Sequence, residues 1–305
     1  MTEIIKEIMR HTGFWPSDIV RISRDAPRSY KVFSIPKQNG SSRTIAQPTK
    51  ELKAIQRAIV ECLRKILPAE HTTATAYVKG KSIIDNAKPH RNSRIFLKTD
   101  FQNFFPSIMP SHFDQLLIQN EIHWEPEICN LIKRLLFFGN RTSTPQCLAI
   151  GAPSSPYISN AIMYQFDLRF SQYCASNELI YTRYADDVTV SGNGKMNQSA
   201  VLNEIDRNLA SVGLSALKIN PSKTRVFSHK HGVKITGIRV TSDGEIKVDR
   251  ELRREIRARL HKIRIQSAST EMIAETHGLL SFVHMIDEEL EENLLSQYKL
   301  DSYDW

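Results

Sequence analysis

The sequence predicts an α+β body followed by an all-helical C-terminal region. Short apolar runs of strand character alternate with stretches of helical period as far as about residue 248. Two of those runs end in aspartates, at Asp100 and at Asp186-Asp187. Beyond residue 249 the chain reads as helix and carries a dense run of basic residues. The 305 residues are 41% hydrophobic and 24% charged, which suits a folded protein and excludes wholesale disorder.

Residues 3–12 and 15–23 read as short helices, and residues 30–36 as a strand returning through 43–46 after a polar turn at Asn39-Gly40. Leu52, Ile55, Ile59, Leu63 and Ile66 recur at helical spacing until Pro68. Residues 95–100 form an apolar strand, and Pro110 suits the first turn of a helix over 110–120. The turn Gly151-Ala-Pro-Ser-Ser-Pro156 feeds a long helix striped by Ile158, Ile162, Phe166 and Phe170. Residues 179–184 and 188–191 are two strands joined at a tight hairpin. Val201, Ile205, Leu209 and Val212 mark a helix closed by Gly213. Residues 217–228 and 233–248 read as further strands, the second bent at Asp243-Gly244.

With 41 Lys+Arg against 33 Asp+Glu, the formal net charge is +8. Residues 287–305 hold seven acids and one lysine, so the rest of the chain is more basic still. A basic body favours a polyanionic partner, because lysines and arginines release counterions from phosphates. A basic protein without such a partner has the same balance. No apolar run approaches the ~20 residues that span a bilayer, and the first residues lack the apolar centre of a signal peptide. A cytoplasmic protein with no membrane partner is expected. The cysteines, Cys62, Cys129, Cys147 and Cys174, form no CxxC pair, so neither a zinc knuckle nor a disulfide framework is indicated.

Carboxylates at strand ends are costly unless a positive group neutralises them. Two such ends brought side by side would suit divalent cations, and two metals about 3.5–4 Å apart can clamp both oxygens of an in-line phosphoryl displacement. Asp-Asp alone is equally a turn dipeptide. Its surroundings decide: Asp100-Phe-Gln-Asn-Phe-Phe105, then Gly151-Ala-Pro-Ser-Ser-Pro156, then Tyr184-Ala-Asp-Asp187.

In this order and at these separations, the three segments resemble the successive palm motifs of reverse transcriptases. Asn220-Pro-Ser-Lys-Thr224 matches the family's motif with a lysine near the leaving pyrophosphate, and residues 233–240 look like the hairpin joining palm to thumb. Residues 43–52 are similar to its fingers segment. Two further matches resemble the retron branch: Asn86-Ala-Lys-Pro-His90, and Thr236-Gly237 within Lys234-Ile-Thr-Gly237. The resemblance covers about residues 30–285. It departs at Leu148-Ala-Ile-Gly151, where the family commonly has Leu-Pro-Gln-Gly, so Ile150 stands in place of an amide near the incoming nucleotide.

The resemblance implies a right-hand polymerase: fingers, a palm made of an antiparallel sheet with helices on one face, and a helical thumb. Residues 1–95 would be N-terminal helices and fingers with part of the palm. Residues 96–240 would be palm with an interleaved fingers segment, and 241–305 the thumb and acidic end. The implied activity is RNA-directed DNA synthesis with two Mg²⁺ ions, Mn²⁺ being a possible substitute. Such enzymes copy a cognate structured non-coding RNA into a DNA still linked to it, from a guanosine 2′-hydroxyl. Many act in antiphage defence beside an effector protein encoded nearby. Another bacterial reverse transcriptase, of group II intron or defence-associated type, and an RNA-binding scaffold restraining an effector are the alternatives.

On the same basis Asp100 and Asp186 would bridge both metals, with Asp187 as a third acid and the Phe101 carbonyl as a further ligand. Lys223 would neutralise or protonate the pyrophosphate. Phe105 would crowd a ribose 2′-hydroxyl and select dNTPs, unless it is core like its neighbour Phe104. Arg43, with Lys37 as a lesser candidate, would grip the triphosphate, and Gly151 and Ala152 would lie against the nucleotide. Asn86 and His90 would sit at a surface handling the RNA. Residues 249–264 hold seven arginines or lysines against three acids, and Arg253, Arg254 and Arg257 would meet nucleic-acid phosphates there. The acidic end would pack on the basic body or dock a protein through Tyr298, Tyr303 and Trp305.

Overall fold

The computed structural model describes residues 2–36, 40, 42–68, 70–140 and 144–300. Helix α1 (Glu3–Thr12) ends on Gly13, whose φ of +74° supplies the left-handed cap. Helix α2 (Pro16–Asp25) has proline in its first turn. Strands β1 (Tyr30–Pro36) and β2 (Ser42–Pro48) pair as an antiparallel ribbon with Val32 opposite Ala46. In helix α3 (Lys50–Ile66) the Thr49 hydroxyl caps the first turn, and Leu52, Ile55, Ile59 and Leu63 are buried. Helix α4 (Ile83–Ala87) starts at Ser82, whose hydroxyl accepts from the Ile84 amide.

Strand β3 (Ile95–Asp100) precedes helices α5 (Pro110–Gln119) and α6 (Pro126–Leu136) and the short strands β4 (Phe138–Asn140) and β5 (Thr144–Cys147). Helix α7 (Ser155–Ser176) is the buried spine: Ile158, Phe166 and Phe170 are sealed from solvent. Strands β6 (Leu179–Tyr184) and β7 (Asp187–Gly192) form the expected hairpin, and helix α8 (Gln198–Ser211) packs beside α7. After them come β8 (Arg225–Ser228), β9 (Val233–Ile235), β10 (Ile238–Val240) and β11 (Ile246–Val248). The chain then enters helices α9 (Arg250–Arg264), α10 (Thr270–Ile286) and α11 (Glu288–Tyr298).

The central sheet runs β6-β7-β3-β8, antiparallel throughout. Successive side chains of β3 divide two cores. Leu97 joins the main cluster with the α3, α5 and α7 side chains, whereas Phe96 faces Val233, Ile235 and Val240. Lys98 and Asp100 follow Phe96 by alternation, on the face away from α7. A third cluster, around Val248, Ile256, Leu260 and Leu280, belongs to the C-terminal helices.

The sequence expectation differs from the fold in three places. Residues 217–228 are not one strand: Pro221 lacks an amide proton, and the Asn220 side chain caps a 3₁₀ turn over Pro221–Lys223, leaving only β8. Residues 233–248 form a three-stranded meander, because Thr236 and Gly237 adopt φ of +44° and +92° and turn the chain early. Between residues 121 and 150, where the sequence reading assigns no element, lie α6, β4 and β5. Among the described residues no helix is long and apolar enough to cross a membrane.

Candidate active site

Sheet register delivers the acids. Asp100, the last residue of β3, lies opposite Asp187, the first of β7, and side chains opposite one another share a face. The β6–β7 loop is only Ala185-Asp186, since Tyr184 pairs with Asp187. The Phe101 amide donates to the Asp186 carbonyl at 3.1 Å, tying the end of β3 to that loop. Residues 84 or more positions apart in sequence thus meet at one sheet end.

Asp100 is 3% exposed, and its Oδ1, although buried, has no hydrogen-bond partner among the described residues. Its Oδ2 accepts from Lys223 Nζ, which the capped turn over Pro221–Lys223 holds against it. That hydrogen bond, foremost, raises the lysine pKa. Burial, opposed by backbone hydrogen bonding and reinforced by the Asp100 charge, raises the Asp186 carboxyl. Desolvation followed by the Asp186 charge pushes Asp187 up to about 6, although solvent reaches its side chain. Two carboxyls held above the ordinary range, beside an Asp100 with an orphaned oxygen, suit added cations. Among the described residues no three His, Cys, Asp or Glu side chains make a ready-formed metal cage. An all-carboxylate donor set fits a hard divalent cation that completes its shell with water and substrate phosphate.

Beneath the loop is a buried charge pair that sequence reading missed. Arg183 and Asp167 are both sealed from solvent. Nε and Nη2 of the arginine donate to the two carboxylate oxygens at 2.9 and 2.6 Å. Nη1 donates to the Ala185 carbonyl at 3.0 Å, and Nη2 also to Asn160 Oδ1 at 3.1 Å. The Tyr181 hydroxyl donates to Asp167 Oδ1 at 2.7 Å. Ala185 has φ +57°, unusual for a residue with a Cβ. Lys98 is a second missed residue: Nζ donates to the Lys234 carbonyl at 2.7 Å, with its pKa lowered by burial and raised by nearby Asp187.

The β1–β2 ribbon lies alongside. Arg43 sits on β2 opposite Ile35, and its charge acts on Asp186. Lys37 lies outside the described residues. Gly151, at φ +114°, presses on the ribbon so closely that a Cβ there would stand 3.0 Å from the Ala46 carbonyl oxygen. The Ile150 carbonyl accepts from the Ala46 amide at 2.8 Å. The expectation for Ala152 needs correction: it is 4% exposed and packs with Ala46 and Ala149, so its side chain fills the turn. Of the phenylalanine pair, Phe104 is buried and Phe105 half-buried.

Asn86 and His90 also need correction, since both are 0% exposed. Asn86 Oδ1 accepts from Thr75 Oγ1 at 2.9 Å, and Nδ2 donates to Thr236 Oγ1 at 3.2 Å. The ring nitrogens of His90 bond Ser191 Oγ at 2.6 Å and Thr182 Oγ1 at 2.8 Å. Burial lowers the His90 pKa to about 3. Satisfied internally, neither side chain presents a surface to RNA. The Asn86–Thr236 bond joins the two motifs with retron character across the body.

On α9, Arg254 and Arg257 are exposed. Arg253 is half-buried and lines a cleft of about 730 Å³ with Lys88, Arg91, Lys247, Asp287 and Glu289. Helix α11 packs on α9 and α10 through Leu294, and Glu291 pairs with His284 at 2.7 Å. The acidic helix thus lies on the basic body; Tyr303 and Trp305 lie outside the described residues.

Residues 35–240 match the reverse transcriptase (RNA-dependent DNA polymerase) family. The chain is 36% identical over 284 residues to the Retron Ec83 reverse transcriptase of Escherichia coli, covering 92% of this chain and 90% of that one. It is 31% identical over 271 residues to the Retron Ec86 reverse transcriptase of Escherichia coli, covering 88% and 79%. A solved telomerase from Candida albicans superposes with a TM-score of 0.49 at 12% identity, over 90% of this chain and 58% of that chain.

Proposed function

The chain belongs to the reverse transcriptases, in their retron branch, and is an RNA-directed DNA polymerase; from that premise we propose that it copies a cognate structured non-coding RNA into single-stranded DNA that stays joined to the RNA. In this reading residues 1–95 supply the fingers with part of the palm, 96–240 the palm, and 241–305 the thumb. Synthesis starts when a guanosine 2′-hydroxyl oxygen attacks the α-phosphorus of the first dNTP and pyrophosphate leaves.

Asp100, Asp186 and Asp187 hold the divalent cations, taken to be Mg²⁺. The observation that carries this is the unpartnered, buried Asp100 Oδ1 at the sheet end where Asp187 stands opposite. The bound cations supply Lewis-acid stabilisation of the attacking and leaving oxygens. The Phe101 carbonyl is the remaining protein oxygen proposed for them. Lys223, ion-paired with Asp100, neutralises the leaving pyrophosphate or passes its proton to it once the lysine lets that carboxylate go. Arg43 grips the triphosphate, Gly151 lets the nucleotide-side turn press against the ribbon that carries Arg43, and Phe105 crowds a 2′-hydroxyl. Arg253, Arg254 and Arg257 hold the RNA or its DNA product by phosphates, without base specificity. A nearby effector protein and a role in antiphage defence complete the proposal.

The test is to express the chain with its native flanking genes, extract its nucleic acid and treat portions with RNase and DNase. DNA attached to RNA is expected from the wild type, and none from Asp186→Asn with a melting temperature no lower than wild type. RNA alone, with no dNTP incorporation in Mg²⁺ on added template, would defeat the reading in favour of a scaffold.

A further inference from the structure

Residues 73–76 bridge onto β6 at one position, Ala74 opposite Arg183, between two turns. The Thr73 carbonyl accepts from the Arg183 amide, and the Thr75 amide donates to the Arg183 carbonyl, each at 2.9 Å. Asn160 adds a strut: Nδ2 donates to the Ala76 carbonyl at 2.8 Å while Oδ1 receives the Arg183 guanidinium. The chain then turns sharply at Tyr77, whose φ is +64°. A bulky aromatic residue in the left-handed region is a true outlier, and outliers held by rigid surroundings gather at functional sites.

Core packing does not account for the strain, because Tyr77 remains 44% exposed. Its ring lies 6.3 Å from that of Phe105, tilted by 39°. Burial first, then the charges of Asp186 and Tyr184, raise its phenol pKa, and Arg43 opposes them. The side chain therefore stands among Phe105, Asp186 and Arg43, the groups assigned above to sugar, metal and triphosphate. One arginine fixes both strained residues, Ala185 through its side chain and the segment before Tyr77 through its backbone.

We propose that Tyr77 is a further substrate-contacting residue, its ring extending Phe105 into one aromatic shelf on which the nucleoside of the incoming dNTP rests. The inference deepens the nucleotide-site reading above and depends on it. Flat rings hold nucleosides through their faces without regard to base identity, which suits a polymerase that must accept four bases. The rigid mounting presents the ring without a cost of ordering when substrate arrives.

The experiment uses the full chain on a poly(rA)–oligo(dT) template–primer, with dUTP or UTP as substrate and Mg²⁺ as the metal. Tyr77→Ala is expected to raise the KM for dUTP about tenfold with kcat within about threefold, and Tyr77→Phe to behave as wild type. If alanine lowers the melting temperature, Tyr77→Leu carries the same expectation, since it keeps bulk without a flat ring. A dUTP KM within twofold of wild type for both variants overturns the inference. Phe105→Val, run in parallel, separates the two readings. Unchanged discrimination against UTP in that variant, beside a raised KM in Tyr77→Ala, would remove the sugar gate and leave the Tyr77 contact standing.

Discussion

Arg183 donates to the carbonyl of Ala185 at 3.0 Å, reaching from β6 to the loop residue immediately before Asp186. The same guanidinium is neutralised by Asp167 on α7, so a buried ion pair braces the loop that carries Asp186 and leads into Asp187. Buried pairs of this kind contribute little as pairs, but removing one partner leaves an uncompensated charge and costs about 3–5 kcal/mol.

Arg183→Met should therefore lower the melting temperature sharply, because Asp167 keeps the Tyr181 hydroxyl but loses the guanidinium that neutralises it. Arg183→Lys keeps the charge but cannot serve Asp167, Asn160 and Ala185 together. It is expected to stay folded and to need a higher Mg²⁺ concentration for half-maximal dNTP incorporation. An unchanged Mg²⁺ titration in a folded Arg183→Lys enzyme would show that the Ala185 contact does not position the acids.

Asp187 gives a pH signature. Its carboxyl is pushed from an ordinary 3.8 up to about 6, by burial first and then by Asp186. Between those values the folded state binds more protons than the unfolded chain, so this group's contribution to stability falls as pH rises. Asp187→Asn should melt above wild type at pH 7 in the absence of divalent metal, and the gap should close below about pH 4. Adding Mg²⁺ at pH 7 should stabilise wild type more than the variant. Melting curves at several pH values check both statements.

Much of this was readable in advance. Apolar strands ending in acids marked Asp100 and Asp186-Asp187, because period 2 and a turn residue are local signals. Helix α6 also carries a legible stripe, Ile128, Ile132 and Leu135, which the sequence reading passed over. Strands β4 and β5, three and four residues long, offer no period to read. Arg183 and Asp167 escaped for a different reason: each looks like a solvated charge until α7 is laid against β6. Asn86 and His90 failed in the opposite sense. Polar side chains in a loop-like stretch suggest a surface, yet Thr75, Thr182, Ser191 and Thr236 satisfy them inside.

Those buried polar groups make a prediction about RNA. Asn86→Ala would take the Asn86 amide from Thr236, while Thr75 keeps its bond to the Arg183 carbonyl at 3.1 Å, costing about 1–3 kcal/mol of stability. RNA affinity of the folded protein should not change. His90 carries a pKa lowered to about 3 by burial, so its neutral form is the folded one. Its contribution is whole above the ordinary histidine range near 6.5 and fades as pH falls toward 3. RNA binding should then show no step near pH 6.5 that disappears in His90→Gln. Such a step, followed by fluorescence anisotropy, would put His90 back at the RNA surface.

Helix α9 separates phosphate contact from structural charge. Arg254 and Arg257 are exposed on α9, whereas Arg259 is engaged by Glu255 and by Glu275 of α10 at 2.7 Å. A lysine or arginine meeting a phosphate adds about 0.7–0.9 to the slope of log affinity against log salt concentration. Arg254→Ala with Arg257→Ala should lower that slope by about 1.4–1.8 and weaken binding to unrelated RNAs by similar factors. Arg259→Ala should leave the slope in place and lower the melting temperature instead, because its partners are protein carboxylates. A slope that falls for Arg259→Ala and not for the exposed pair would move the phosphate contact to the α9–α10 seam.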